Sequence, residues 1–365
     1  MGHLPNAMSH PDPISTNYPG LAKRLGKESL ATLPTPVRTV DTNPLPGTGT
    51  LTIKCDNLTG SLYGGNKVRK LEYALRPARD RGRRRIATFG AIGSNHALAT
   101  ALYARSLGYE CTCFLSHQRA SDKVAETIRA QLANGTKVIR YGGSYTARIA
   151  TLRENLWNQD CWVIPAGGSS WLGTVGFVNA GLELAAQIKD NELPEPDRIY
   201  IATGTMGSAA GLAIGLAMAE VEARIEAVRV SMTSICNETF MQRLINKTVA
   251  MMTRIDSSIP ENLTTRVNTH LRNSYFAGGY AHSDKATDDA VQFAKDELGL
   301  DLETTYTGKA MAALLDDSRA HGSENILFWN TYNSQQLSAQ ASDAEIGQLP
   351  QEFHRYLEQA GKRAD

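Results

Sequence analysis

Tyr63-Gly64-Gly65-Asn66-Lys67-Val68-Arg69-Lys70-Leu71-Glu72 puts a lysine where a glycine turn becomes a helix. Glycine has no Cβ, so such a turn can bring backbone close to a ligand. Val68, Leu71, Ala74 and Leu75 then recur at spacings of three and four, the period of a helix with one apolar face. A lysine at that junction can form a Schiff base with a carbonyl cofactor once burial supplies its neutral amine. The bland alternative is a solvated basic face, since Arg69 and Lys70 follow at once.

A second candidate is Ala202-Thr203-Gly204-Thr205-Met206-Gly207-Ser208-Ala209-Ala210-Gly211, set between an apolar strand and a helix. Successive backbone N–H groups and a helix N-terminus in such a turn can hold a phosphate. Many strand-to-helix turns are glycine-rich without doing so. The stretch does not fit GxGxxG and GKS/T is absent, which weakens dinucleotide and nucleoside triphosphate readings. Ser94-Asn95 opens a helix directly after a strand, and these residue types cap helices, so capping alone accounts for them. Tyr306-Thr307 precedes a helix begun by Gly308-Lys309, and on its own Tyr306 reads as a core aromatic.

These residues need a scaffold that alternates strands and helices, and the hydrophobic pattern supplies one. Strands are predicted at 51–56, 85–90, 110–115, 137–141, 161–165, 198–202, 227–231 and 325–329. Helices are predicted at 95–107, 121–133, 147–157, 174–188, 209–220, 239–251, 284–298 and 308–319. Short glycine-bearing connections between them mean βαβ units and mostly parallel sheets. Leu193-Pro194-Glu195-Pro196 is the clearest linker. The proline-rich stretch 9–45 should wrap the surface or form short helices rather than build a core. A helical pattern at 352–357 should pack on the body or on a partner subunit.

Bulk properties set limits. With 365 residues the chain can form two modest domains. Lys plus Arg is 38 against 37 for Asp plus Glu, so nothing argues for nucleic acid, and Arg81-Gly82-Arg83-Arg84-Arg85 reads as a local solvated turn. No apolar run approaches the roughly 20 residues of a membrane span. The opening Met1–Met8 lacks a signal-peptide apolar run and reads as an appended leader. Five cysteines, an odd number without CxxC or CxxH spacing, argue against a disulfide framework and a zinc site and for a cytoplasmic protein.

Gly64-Gly65-Asn66-Lys67-x-Arg69-Lys70-Leu71-Glu72 resembles the cofactor-lysine segment of the D-cysteine desulfhydrase and 1-aminocyclopropane-1-carboxylate deaminase family. Four more blocks resemble it in order: Ala91–His96, Ile164–Ser169, Ala202–Gly207 and Tyr306–Lys309. The likeness runs from about Leu51 to about Thr331. It implies an α/β fold of two open, mostly parallel twisted sheets flanked by helices, like the tryptophan synthase β subunit. Residues 70–178 would form a small inserted domain, 1–69 and 179–365 a large one, with pyridoxal phosphate between them in a homodimer.

The resemblance also implies roles. Lys67 would carry the cofactor and act as base. Lys70, Thr203, Gly204, Thr205, Met206, Gly207 and Ser208 would hold its phosphate, and Asn95 its phenolic oxygen. Ser94 and Tyr306 would lie beside the substrate, and Tyr280 would be a second tyrosine there. Thr307 and Thr331 would offer hydroxyls near the pyridine nitrogen. Three places depart from the pattern: Gly93 where members usually have Gln, Ala281–Asp284 after Tyr280, and Asn330-Thr331-Tyr332-Asn333 where members commonly read His-Thr-Gly-Gly. The last should reshape the pocket floor. A neutral Thr307, where ring-opening members carry Glu, implies β-elimination from D-cysteine or a related small amino acid. The alternatives are 1-aminocyclopropane-1-carboxylate deamination, β-replacement, or a catalytically silent ligand-binding protein.

Overall fold

The computed structural model describes residues 12–41, 43–45, 49–156, 160–318, 323–337 and 341–361. The opening residues 1–8 and the helix ends expected at Trp157 and Arg319 lie outside them. The described strands are β1 (Val37–Thr39), β2 (Leu51–Lys54), β3 (Arg85–Ala91), β4 (Glu110–Ser116), β5 (Lys137–Arg140), β6 (Cys161–Ile164), β7 (Arg198–Thr203), β8 (Arg224–Arg229), β9 (Thr269–Arg272) and β10 (Ile326–Trp329). The helices are α1 (Pro13–Asn17), α2 (Pro19–Leu25), α3 (Asn66–Asp80), α4 (Asn95–Ser106), α5 (Asp122–Ala133), α6 (Tyr145–Leu156), α7 (Trp171–Lys189), α8 (Gly207–Met218), α9 (Glu238–Ile255), α10 (Lys285–Leu298), α11 (Thr307–Ser318), α12 (Asp343–Ile346) and α13 (Gln351–Gly361).

Two sheets result. One has the order β1-β2-β10-β7-β8-β9 and is parallel except for β1, which pairs antiparallel with β2. The other, β5-β4-β3-β6, is parallel throughout. Their inner strands are runs of buried Ile, Val, Ala and Phe, as expected when helices cover both faces. Two short strands, β1 and β9, go beyond the expected set. Both lie at edges and are half exposed, so they lack an apolar run.

The proline-rich leader does form short helices, but it also enters the core. Ile14, Leu21 and Leu25 are buried with residues of α7, α8 and α9. At the other end α13 packs on the body: Phe353 and Tyr356 are buried in the core beside Ile128, Leu132 and Val138. Arg81 and Gly82 form the exposed turn between α3 and β3. All five cysteines are free. Among the described residues no helix is long and apolar enough to cross a membrane.

Candidate active site

A cavity of about 600 Å³ opens at the carboxyl ends of β3, β4 and β7, where ligands of parallel α/β sheets characteristically bind. Lys67 enters it from the first turn of α3. That helix starts at Asn66 because Gly65 has φ +84, a conformation glycine adopts without strain. A Cβ on Gly65 would lie 2.5 Å from the Thr331 carbonyl oxygen, and one on Gly64 would lie 2.0 Å from that of Asn57. The turn therefore admits no side chain at either position.

Lys67 is half-buried, and its Nζ makes no hydrogen bond among the described residues. Burial pushes its pKa down to about 8, with the Glu303 charge opposing the shift. Arg69 and Lys70 do not form a solvated face. Arg69 is 1% exposed and binds Asp56 at 2.8 Å, Glu183 at 2.9 Å and Thr35 Oγ1 at 2.9 Å. Lys70 is equally buried, and its Nζ donates to Gly167 O at 3.1 Å and Ser169 Oγ at 3.2 Å. Burial and the neighbouring Lys67 hold Lys70 well below an ordinary lysine. Among the described residues no Asp or Glu lines this cavity, whereas Lys67, Lys70, Arg119 and Arg148 do. The field favours anions.

The turn from β7 to α8 has the features of an anion cradle. Met206 is left-handed at φ +65, and α8 starts without a side-chain cap, leaving its N-terminal dipole facing the turn. A Cβ on Gly207 would lie 2.6 Å from Ser169 Oγ and 2.9 Å from Lys70 Nζ. Ser169 Oγ accepts from Gly207 N at 3.2 Å and stands 2.7 Å from Thr205 Oγ1. Asn66 ties the lysine helix to the same turn by donating to Ser208 Oγ at 2.9 Å. A buried amine of lowered pKa beside such a cradle fits a group that carries both a carbonyl and a phosphate.

The other expected residues divide. Ser94, Thr203, Gly204, Thr205, Met206, Ser208, Tyr280 and Tyr306 line the cavity with Lys67 and Lys70. Ser94 also caps α4, accepting from Ala97 N at 3.3 Å. The phenols of Tyr280 and Tyr306 meet at 2.7 Å. Burial raises both, Tyr280 to about 12 and Tyr306 well above its usual value. Asn95 and Thr331 face a small cleft on the other side of Lys67, where Tyr63 OH donates to Asn95 Oδ1 at 3.0 Å. Thr307 lines neither space: it is fully buried, and its hydroxyl accepts from Glu303 N at 3.1 Å.

Residues that sequence reasoning passed over complete the site. Glu303 accepts from Thr305 N, Tyr306 N and Thr307 N at 2.7, 2.8 and 2.9 Å, fixing the start of α11 beneath Tyr306. His96, one residue past the expected Asn95, lines the cavity and stays neutral, since burial and the two lysines push its pKa well down. Ser169, at the end of the Ile164–Ser169 stretch, joins Lys70 to the β7–α8 turn through its hydrogen bonds. None of Asn330–Asn333 lines the main cavity, so the expected reshaping of its floor is not seen there; Thr331, Tyr332 and Asn333 line the small cleft instead. Asn333 Oδ1 accepts from Gly64 N at 2.5 Å, so this departure fastens the lysine turn.

Comparison with known proteins agrees with this geometry. A family model described as pyridoxal-phosphate dependent enzyme matches residues 28–331. D-cysteine desulfhydrases of Salmonella newport and Salmonella typhimurium are each 33% identical over 303 residues, covering 79% of this chain and 88% of those proteins. A solved 1-aminocyclopropane-1-carboxylate (ACC) deaminase homologue superposes with a TM-score of 0.73 at 25% identity, over 93% of this chain and 100% of that one. An L-serine ammonia-lyase from Rhizomucor miehei shares the fold at 20% identity and a TM-score of 0.59.

Proposed function

Because the chain belongs to the family of pyridoxal-phosphate dependent enzymes, we propose that it is a lyase removing a β substituent from D-cysteine or a related small amino acid. Its two sheets are the tryptophan synthase β-like architecture, fold type II. The observation that carries the reading is Lys67: an amine brought down to about 8 that, among the described residues, has no hydrogen-bond partner and shares its cavity with no acidic side chain.

When bound, pyridoxal phosphate supplies the electron sink that lets a Cα–H bond break. Lys70 Nζ, Ser169 Oγ and the uncapped start of α8 would hold its phosphate, and Asn95, beside Lys67 in the small cleft, would hold its phenolic oxygen. Lys67 Nζ, neutral in good part near pH 8, accepts the Cα proton. Arg119 and Arg148, which also line the cavity, draw in the amino-acid carboxylate. The Tyr280–Tyr306 pair closes one wall and can hand a proton to a leaving group. D-cysteine and water would thus give pyruvate, ammonia and sulfide.

Ring opening of aminocyclopropane carboxylate is the second reading, and one observation favours it. Glu303 places a carboxyl group against the backbone of Thr307, so an acidic side chain sits near that position although the residue itself is neutral. A cytoplasmic setting is supported by the five free cysteines, and a homodimer by the family resemblance. The division into 1–69 plus 179–365 and 70–178 is proposed on the ground that the four-stranded sheet is drawn wholly from residues 85–164.

The deciding assay follows 2-oxo acid and ammonia from D-cysteine, L-cysteine, D-serine and aminocyclopropane carboxylate. Pyruvate from D-cysteine, with little 2-oxobutyrate from the cyclopropane, is expected. Turnover of the cyclopropane alone would establish the second reading, and no turnover of any substrate would leave a silent binding protein.

A further inference from the structure

We propose that Gln118, clamped by Tyr356 of the C-terminal helix, is the side chain that binds the substrate carboxylate and so sets substrate affinity. The proposal rests on the reading of the cavity as an amino-acid site. Gln118 follows β4 on the wall shared by the main cavity and a second cavity of about 330 Å³. Its Oε1 accepts from Gly93 N at 3.1 Å, which fixes which way the amide faces. A Cβ on Gly93 would lie 2.8 Å from Gln118 Nε2. The amide therefore fills the space a side chain at position 93 would take, at the foot of α4 beside Ser94. The glutamine that members of the resembling family usually carry at 93 is thus replaced in space by one from the next strand end. With Oε1 engaged, Nε2 keeps its two N–H donors, and neither has a partner among the described residues.

What holds Gln118 lies beyond the stretch that matches the family. Tyr356, 2% exposed on α13, donates its hydroxyl to Gln118 O at 2.9 Å and accepts from Gln118 N at 3.2 Å. Arg355 donates to the same hydroxyl at 3.1 Å and to His117 Nδ1 at 3.1 Å. Both backbone groups of one loop residue are thus fastened to one buried phenol. That removes the conformational freedom that would otherwise weaken a lone amide contact. The C-terminal helix is in effect part of the substrate site.

The test is a titration of holoenzyme with D-alanine, which lacks a β leaving group, reading Kd from the change in visible absorption. KM and kcat for D-cysteine are measured alongside. Gln118→Ala removes the donors, and Gln118→Glu keeps the shape while opposing a carboxylate. Each should raise Kd about 10- to 100-fold, as expected for a lost hydrogen bond to a charged group. KM should rise far more than kcat falls, and the absorption of the resting enzyme should be retained. Tyr356→Phe should raise Kd by a smaller factor with the same KM-weighted pattern. Kd within about twofold of wild type in both Gln118 variants would overturn the proposal, and an unchanged Tyr356→Phe would overturn the clamp. If wild-type holoenzyme showed no change with any small amino acid, the amino-acid reading would fall and this proposal with it.

Discussion

Lys67 and Arg69 stand two residues apart on α3, and their side chains meet opposite surroundings. Lys67 Nζ faces the cavity with no hydrogen-bond partner among the described residues, while the Arg69 guanidinium is sealed against Asp56 and Glu183. Two residues turn a helix by roughly 200°, so the pair necessarily points to opposite sides. One basic residue is left reactive because the other is spent anchoring the helix. Lys54 and Thr35 join the same buried cluster through Glu183, at 2.6 and 3.0 Å.

The Lys67 amine should titrate in the folded apoprotein near 8. Only the neutral amine captures a carbonyl, and burial has lowered its pKa, so capture should strengthen as pH rises through 8 and level off above it. The rate of pyridoxal phosphate uptake should rise about tenfold from pH 7 to pH 9, as the neutral fraction does. Lys67→Ala should lose uptake, and borohydride should fix cofactor to Lys67 in wild type. Cofactor mapped to Lys70 or Lys309, or a rate still climbing at pH 10, would refute the assignment.

Arg69→Met should cost about 3–5 kcal/mol, because Asp56 and Glu183 would stay buried without their main partner. Acid behaviour separates this from lost packing. Burial alone would raise Glu183, but Arg69 and Lys54 outweigh it and hold its pKa below the ordinary 4.5. Its stabilisation is therefore present above the unfolded value and fades as pH falls below about 4.5. Urea unfolding at pH 7 and pH 4 should show a smaller loss on acidification in Arg69→Met than in wild type.

Gly207→Val should block the cradle before it harms the fold. Its Cβ would crowd Ser169 Oγ and Lys70 Nζ, the groups proposed to meet the phosphate. Both are side chains that can shift, so the structure should survive while cofactor Kd rises at least tenfold. Equilibrium dialysis of the variant gives the value. Unchanged affinity would mean that the phosphate lies elsewhere.

The alternation of elements was legible because β3, β4 and β7 are apolar runs bounded by turn residues, and a buried parallel strand requires such runs. The lysine and phosphate turns were legible because glycine leaves a local mark. Gln118 left none: it is one polar residue in a loop, and it matters through Gly93, 25 positions away, and Tyr356, 238 away. Glu303 reads as an ordinary surface acid until the start of α11 folds over it. Thr307 misled in the other direction. Its family position suggested a hydroxyl in the pocket, but as the first residue of α11 it is drawn into the helix start by Glu303.

The Tyr280–Tyr306 pair sets up the last prediction. Both phenols are buried, and burial raises both, but unequally. Tyr280 reaches only about 12 while Tyr306 is pushed further, because the hydroxyl–hydroxyl bond at 2.7 Å favours the Tyr280 phenolate and opposes that of Tyr306. Tyr280 is therefore the better proton donor of the two, with Tyr306 in support. Tyr280→Phe should lower kcat about 100-fold, the low end for loss of a general acid, while cofactor absorption persists. Tyr306→Phe should cost less, since Tyr280 keeps its proton and loses only its partner. Leaving-group chemistry checks the assignment. With β-chloro-D-alanine, whose chloride leaves without a proton, the Tyr280→Phe defect should shrink towards wild type. An equal defect on D-cysteine and the chloro compound would show that Tyr280 shapes the cavity rather than donating a proton.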